Sequence, residues 1–219
     1  MITYMCALPR DESQRIRIGN QSSFSAASAL EPFEFAVASG FDAFEWFPDK
    51  KESGAGWAIE DISGEIRRHI RDVARMNDIV LAVHASWGAN PLIPGGPALI
   101  MEDIAFALDT GAGLLNIHMY VESGVEAYLD AIRPVIEGTA RAGIKLAIEN
   151  TPVTTPEDFN EFFSLLHTSN SEPSGHVGMC FDLGHANLCS ATHNDYVGFL
   201  DRLAPDVPVI HIHMHENYG

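Results

Sequence analysis

The chain has 219 residues, 46% hydrophobic and 20% charged, which is enough for one globular domain with a sizeable core. A net charge of −17 removes the usual driving force for binding nucleic acid or an anionic membrane surface, yet allows a small neutral sugar beside a bound cation. Cys6, Cys180 and Cys189 are too few and too scattered for a disulfide framework. Neither a signal-peptide pattern nor a run of about 20 apolar residues is visible, so a reduced, cytoplasmic chain is expected.

In chain order, short apolar runs alternate with helical patterns, the arrangement of parallel strands covered by helices. Strands are expected at Arg15–Gly19, Ala43–Trp46, Ile79–His84, Leu114–His118, Ile144–Glu149, Val177–Phe181 and Val209–His213. Most are apolar on both faces, as burial between a barrel interior and outer helices requires. Ile59, Ile62, Ile66, Ile70 and Val73 recur at spacings of three and four, giving one apolar helical stripe with Arg67, Arg68 and Arg71 interleaved. Ala98–Thr110 and Val125–Arg141 read as further helices, the second stopped at Gly143. Thr155-Pro156-Glu157-Asp158 supplies an N-cap, a proline at the first helical position and a capping acid ahead of Phe159, Phe162, Phe163 and Leu166. A last helix, Asp195–Leu203, is stopped by Pro205. Long loops fall at Asp49–Gly56, Gly88–Pro97 and Ser169–Gly175. The second directly follows a strand, which in a barrel puts it on the active face, either as a lid or as a plain connection.

Polar residues punctuate this pattern. His84, His118, Glu149, Asp182 and His213 each end a separate apolar strand, about 30 to 35 residues apart, the length of one unit in a (β/α)₈ barrel. Parallel strands bring all their C-terminal ends to one rim, so these five residues are expected to converge. Imidazole and carboxylate are ligands that Zn²⁺, Mn²⁺ or Co²⁺ accept. A lone strand-end histidine also serves as a hydrogen-bonded core residue, whereas a buried carboxylate demands compensation. Glu149 and Asp182, and His213 by its place in the same rim, are therefore the strand-end residues most expected to be functional. His185, three residues past Asp182, suits a metal ligand, a substrate contact or a supporting partner, and spacing does not choose among these. In Ile210-His211-Ile212-His213-Met214-His215 the period of two puts all three histidines on one face, with His211 deepest and structural and His215 at the mouth, placed to touch substrate.

Ala147-Ile148-Glu149-Asn150-Thr151-Pro152, Cys180-Phe181-Asp182-Leu183-Gly184-His185-Ala186 and His213-Met214-His215-Glu216-Asn217 resemble motifs of the xylose-isomerase-like barrel superfamily, with support from Val83-His84-Ala85 and Asn116-Ile117-His118. The resemblance runs from about Arg15 to the last residue and implies a parallel (β/α)₈ TIM barrel, here one domain over residues 1–219. In its isomerase and epimerase branch the matching Glu149, Asp182 and His213 bind one divalent metal (Mn, Zn, Co or Mg) with a Glu from the eighth strand. The implied activity is isomerisation or epimerisation of a sugar or related polyhydroxy compound, with Glu149 also moving the proton and His185 contacting substrate oxygen. His185 and His118 become substrate or second-metal contacts, and His84 a substrate contact. Trp46 and Trp87, at strand ends, are placed to stack on a sugar ring or to pack the rim.

In the endonuclease IV branch, His84, His118, Glu149, Asp182, His185 and His213 match positions that build a trinuclear zinc cluster, but the acidic charge and the lack of basic loops suit DNA poorly. A further unit after His213 would end near position 246 by the same repeat length, so the eighth β/α unit and its Glu are missing from this sequence. More C-terminal chain or another segment would have to close the barrel; a non-catalytic remnant is the alternative. A sugar-like substrate is thus expected, with no nucleic-acid or membrane partner. Homo-oligomerisation stays open.

Overall fold

A computed structural model describes residues 16–86, 88–168 and 175–215; Cys6, Trp87, Glu216, Asn217 and most of the Ser169–Gly175 loop lie outside them. Seven strands, β1 (Gly19–Gln21), β2 (Ala43–Trp46), β3 (Val80–His84), β4 (Leu114–His118), β5 (Lys145–Glu149), β6 (Val177–Asp182) and β7 (Val209–His213), form one sheet in sequence order. Every neighbouring pair is parallel. Helices α1 (Glu31–Ser39), α2 (Gly64–Met76), α3 (Gly96–Thr110), α4 (Val125–Ala142), α5 (Pro156–Thr168), α6 (Leu183–Leu188) and α7 (Tyr196–Asp201) fill the crossovers, with a 3₁₀ turn at Ile59–Asp61. Among the described residues there is no eighth strand, and β1 and β7 each pair on one side only. No helix among them is long and apolar enough to cross a membrane.

The expected strands hold within a residue or two except the first. Register with β2 pairs Gly19 with Ala43, so β1 starts where Arg15–Gly19 was expected to end. Ile16 and Ile18 are left exposed, while Arg17 pairs with Asp78 at 3.0 Å. A side chain on Gly19 would collide with the Ala43 carbonyl, which explains why glycine opens this pairing.

Local chemistry sets the helix ends. Ser63 Oγ accepts from Ile66 N at the start of α2. Thr155 and Asp158 form a reciprocal capping box at α5, with Asp158 Oδ2 accepting from Thr155 N at 2.7 Å and Thr155 Oγ1 from Asp158 N at 3.3 Å. Gly143 closes α4 in the left-handed conformation that only glycine adopts without strain. The expected apolar stripe reaches the core but not as one helix: Ile66, Ile70 and Val73 lie on α2, while Ile59 sits in the 3₁₀ turn and Ile62 is extended, because Ser63 starts α2 afresh.

The core lies between the sheet and its helices, where Phe159, Phe162, Phe163 and Leu166 from α5 meet outward strand residues such as Ile148, Met179 and Phe181. A second, small apolar layer of Ala82, Leu114, Ala147 and Cys180 fills the concave side of the sheet. Strand alternation then places the next residue of the same face, two positions on, at the C-terminal rim. That step carries Ala82 to His84, Ala147 to Glu149 and Cys180 to Asp182.

Candidate active site

The rim gathers around Glu149, which is buried at the end of β5. Its Oε2 lies 3.2 Å from His84 Nε2 and 3.3 Å from His213 Nδ1, and it accepts a hydrogen bond from Asn116 Nδ2. Its Oε1 is 3.5 Å from His118 Nε2 and 3.4 Å from His185 Nδ1. Burial alone would raise the Glu149 carboxyl, but the imidazoles of His118, His185, His213 and His84 packed around it hold it well below the usual carboxylate range. Glu149 is therefore an anion among four imidazoles.

Asp182, at the junction of β6 and α6, has three jobs. Its Oδ1 caps α6 by accepting from His185 N at 2.6 Å, and it lies 3.0 Å from His215 Nε2. Its Oδ2 is 3.8 Å from His213 Nδ1. The backbone is fixed by Asn150, whose Oδ1 accepts from Asp182 N and whose Nδ2 donates to Asp182 O. Gly184 lets the His215 ring lie against it, where a Cβ would overlap the ring as it is placed.

The histidines are oriented by their second nitrogens. A carbonyl only accepts, so His84 Nδ1 donates to Ala85 O at 2.9 Å, leaving Nε2 for the rim. His185 Nδ1 likewise donates to Asn150 O at 2.8 Å, leaving Nε2 available to a ligand. Burial depresses His84, but the bond and charge of Glu149 outweigh it and raise the group. His118 is the exception, since burial prevails there and lowers it.

This set fits a divalent cation. Ligands about 2.1 Å from a metal stand within about 4.2 Å of one another, and His213 Nδ1 is inside that limit from both Glu149 Oε2 and Asp182 Oδ2. One donor atom each from Glu149, Asp182 and His213 lies within 4.8 Å of the others, and the same holds for His84, His118 and Glu149, and for Asp182, His185 and His215. The five strand-end residues foreseen from their spacing are thus brought together, with His185 and His215 beside them.

Trp46 does not join them. Glu45 faces the concave side, so the next residue must face outward, and Trp46 is fully buried among Phe33, Phe44, Trp57 and Phe106. Its expected place against a sugar ring is corrected to core packing; Trp87 lies outside the described residues. Among the described residues, aromatic rings beside the rim histidines are Phe47, 4.3 Å from the His84 ring, and Tyr120, 6.3 Å from the His118 ring.

Glu45 is the residue that sequence reading missed. It is buried, its Oε2 lies 2.7 Å from His213 Nε2 and accepts from Gln21 Nε2 at 3.2 Å, and its Oε1 is 3.6 Å from His211 Nε2. Burial raises its carboxyl, but the charge and hydrogen bond of His213, with the His211 ring close by, outweigh this and hold it well below the usual range. His213 is correspondingly raised well above an ordinary imidazole, its desolvation outweighed first by the charge of Glu45. The signal was present: Glu45 is an acid near the end of an apolar strand, but the neighbouring tryptophan drew the assignment.

Behind the rim, Asp103 of α3 anchors the start of the Gly88–Pro97 loop, accepting from Ser86 Oγ at 2.6 Å and Ser86 N at 3.0 Å. Complete burial outweighs these bonds and pushes its carboxyl up from 3.8 to about 6. The native state therefore favours the neutral acid, and stability falls as pH rises from near 4 until it levels off above about 6. The full effect is about 3 kcal/mol. Urea denaturation between pH 4 and 7.5 should show this decline in the wild type and a flatter profile in Asp103→Asn; identical slopes would refute the assignment.

The fold defines a parallel β/α barrel-type scaffold with a polar rim, and residues 33–219 match the xylose isomerase-like TIM barrel. The chain belongs to that family. Its fold is similar to that of a D-tagatose 3-epimerase-like protein (21% identity, TM-score 0.64, 91% of this chain and 77% of that one). It is also similar to endonuclease IV from Thermus thermophilus (21% identity, TM-score 0.62, 86% and 71%). A curated relative, an uncharacterized protein of Methanocaldococcus jannaschii, is 30% identical over 107 residues, spanning 46% of this chain and a third of that relative's length.

Proposed function

We propose that the chain is a divalent-metal-dependent isomerase or epimerase of a sugar or related polyhydroxy compound, acting as one domain in a reducing cytoplasm. The observation that carries this reading is the meeting of Glu149, Asp182 and His213, from three separate strands, with their donor atoms within 4.8 Å. Similarity to an epimerase-like protein and to a D-psicose 3-epimerase crystallised with D-fructose supports the substrate class. Glu149, Asp182 and His213 would hold the cation, which supplies Lewis acidity to a carbonyl and its neighbouring hydroxyl. Glu149 turns Oε2 toward His84 and His213, leaving Oε1, on the His118 and His185 side, as the oxygen that takes a proton from carbon and returns it. His185, through Nε2, and His118 bind substrate oxygens, with His84 and His215 lining the same mouth. Among the described residues no Arg or Lys contacts this cluster, which suits an unphosphorylated substrate.

One observation favours a second reading. His84 and His118 share Glu149 with the first ligand set, so one carboxylate belongs to two candidate metal positions, as a multi-zinc phosphoesterase would require. The net charge of −17 opposes a nucleic-acid substrate.

Metal analysis after dialysis against Mn²⁺, Co²⁺ or Zn²⁺, with a ketohexose panel of D-psicose, D-tagatose and D-fructose, separates the two. About one ion per chain with solvent-deuterium incorporation into a sugar is the expected result. Two or three zinc ions with phosphodiester cleavage would favour the second reading, and no bound ion would overturn both.

A further inference from the structure

Glu45 and His213 meet across the side of the sheet that no strand closes among the described residues. β1 and β2 stand at one end of the sheet and β7 at the other, with β1 and β7 unpaired on their outer sides among the described residues. Yet Glu45 Oε2 and His213 Nε2 approach to 2.7 Å across this gap, over a sequence separation of 168 residues. The carboxylate is anchored from its own end, because Gln21 on the adjoining β1 donates to the same oxygen at 3.2 Å. It is buried, so bulk water does not compete for the bond.

We propose that Glu45 is the positioning residue of the rim centre, fixing His213 so that Nε2 carries the proton and Nδ1 presents its lone pair to a divalent cation shared with Glu149 and Asp182. A carboxylate accepts and does not donate, so the short contact requires a proton on Nε2. The other ring nitrogen is then the ligating atom, and it is the one that stands 3.3 Å from Glu149 and 3.8 Å from Asp182. The same bond sets the ring plane and holds the end of β7 toward β2. This matters because, among the described residues, β7 is hydrogen-bonded along β6 alone. Carboxylates that orient metal-binding imidazoles in this way commonly change metal affinity about 10- to 100-fold when removed.

The inference rests on the metal-site reading above, so its test keeps the two apart. Zn²⁺ affinity is measured for wild type, Glu45→Ala and Glu45→Gln, with far-UV circular dichroism as the folding control. ¹⁵N spectra of the zinc-loaded wild type report the state of each His213 nitrogen. Expected are an Nε2-protonated, Nδ1-ligated His213, zinc binding weakened about 10- to 100-fold in Glu45→Ala, and substantial recovery in Glu45→Gln, whose amide oxygen still accepts from Nε2. Wild-type affinity in a folded Glu45→Ala, or ligation through Nε2 in the spectra, would overturn the role of Glu45 while leaving the metal site standing. Failure of the wild type to bind zinc would overturn both. If Glu45→Ala does not fold, the wild-type spectra and Glu45→Gln still decide.

Discussion

Glu149→Gln is expected to slow solvent-deuterium exchange into the ketohexose that the wild type converts by about 10²- to 10⁴-fold, the span over which a positioned general base contributes. Gln keeps the shape of the side chain and can still accept from Asn116, so far-UV circular dichroism should not change. It removes the anion on which four imidazoles converge, so divalent-ion affinity should fall as well. The pH profile gives a second readout. The depressed Glu149 carboxyl stabilises the native state above its unfolded value of about 4.5, and this contribution is lost as pH falls through the folded value. Glu149→Gln should therefore show a weaker acid-induced loss of stability than wild type. An unchanged exchange rate would remove Glu149 from the chemistry.

Asp182→Asn should weaken divalent-ion binding by two orders of magnitude or more, with little loss of fold stability. Asp182→Ala should do the same and also lower stability by about 1 kcal/mol. The difference arises because the carboxylate serves as both ligand candidate and helix cap: Oδ1 accepts from His185 N, while Oδ2 faces His213. Asparagine caps helices as well as aspartate does but carries no charge, so it separates the two roles. Isothermal titration with Mn²⁺ and urea denaturation of both variants check this. Equal stability in the two would show that the cap at α6 contributes nothing, and wild-type affinity in both would exclude Asp182 as a ligand.

Strand order, helix ends and five rim residues were legible in the sequence because each rests on local chemistry. Parallel strands share a direction, so an acid or histidine ending each apolar run must arrive at the same rim, as His84, His118, Glu149, Asp182 and His213 do. Thr155 and Asp158 announced a helix start through hydrogen bonds that span three residues, and Gly143 marked an end through its conformation. These signals need no knowledge of distant parts of the chain.

Facing direction and long-range pairing were decided only by the tertiary structure. Ala43–Trp46 was correctly placed as a strand, but either Glu45 or Trp46 could have pointed inward until register with β1 and β3 chose Glu45 and sent Trp46 to the core. The start of β1 moved for the same reason, because pairing with Ala43 outweighs the apolar character of Ile16 and Ile18. The Glu45–His213 contact joins residues with no local relation, and only the curvature of the sheet brings them together. Sequence thus determined that His84, His118, Glu149, Asp182 and His213 reach the rim, through short-range periodicity, but not that Glu45 rather than Trp46 joins them. The tertiary structure determined which nitrogen of each histidine faces it, because that depends on partners supplied by other strands.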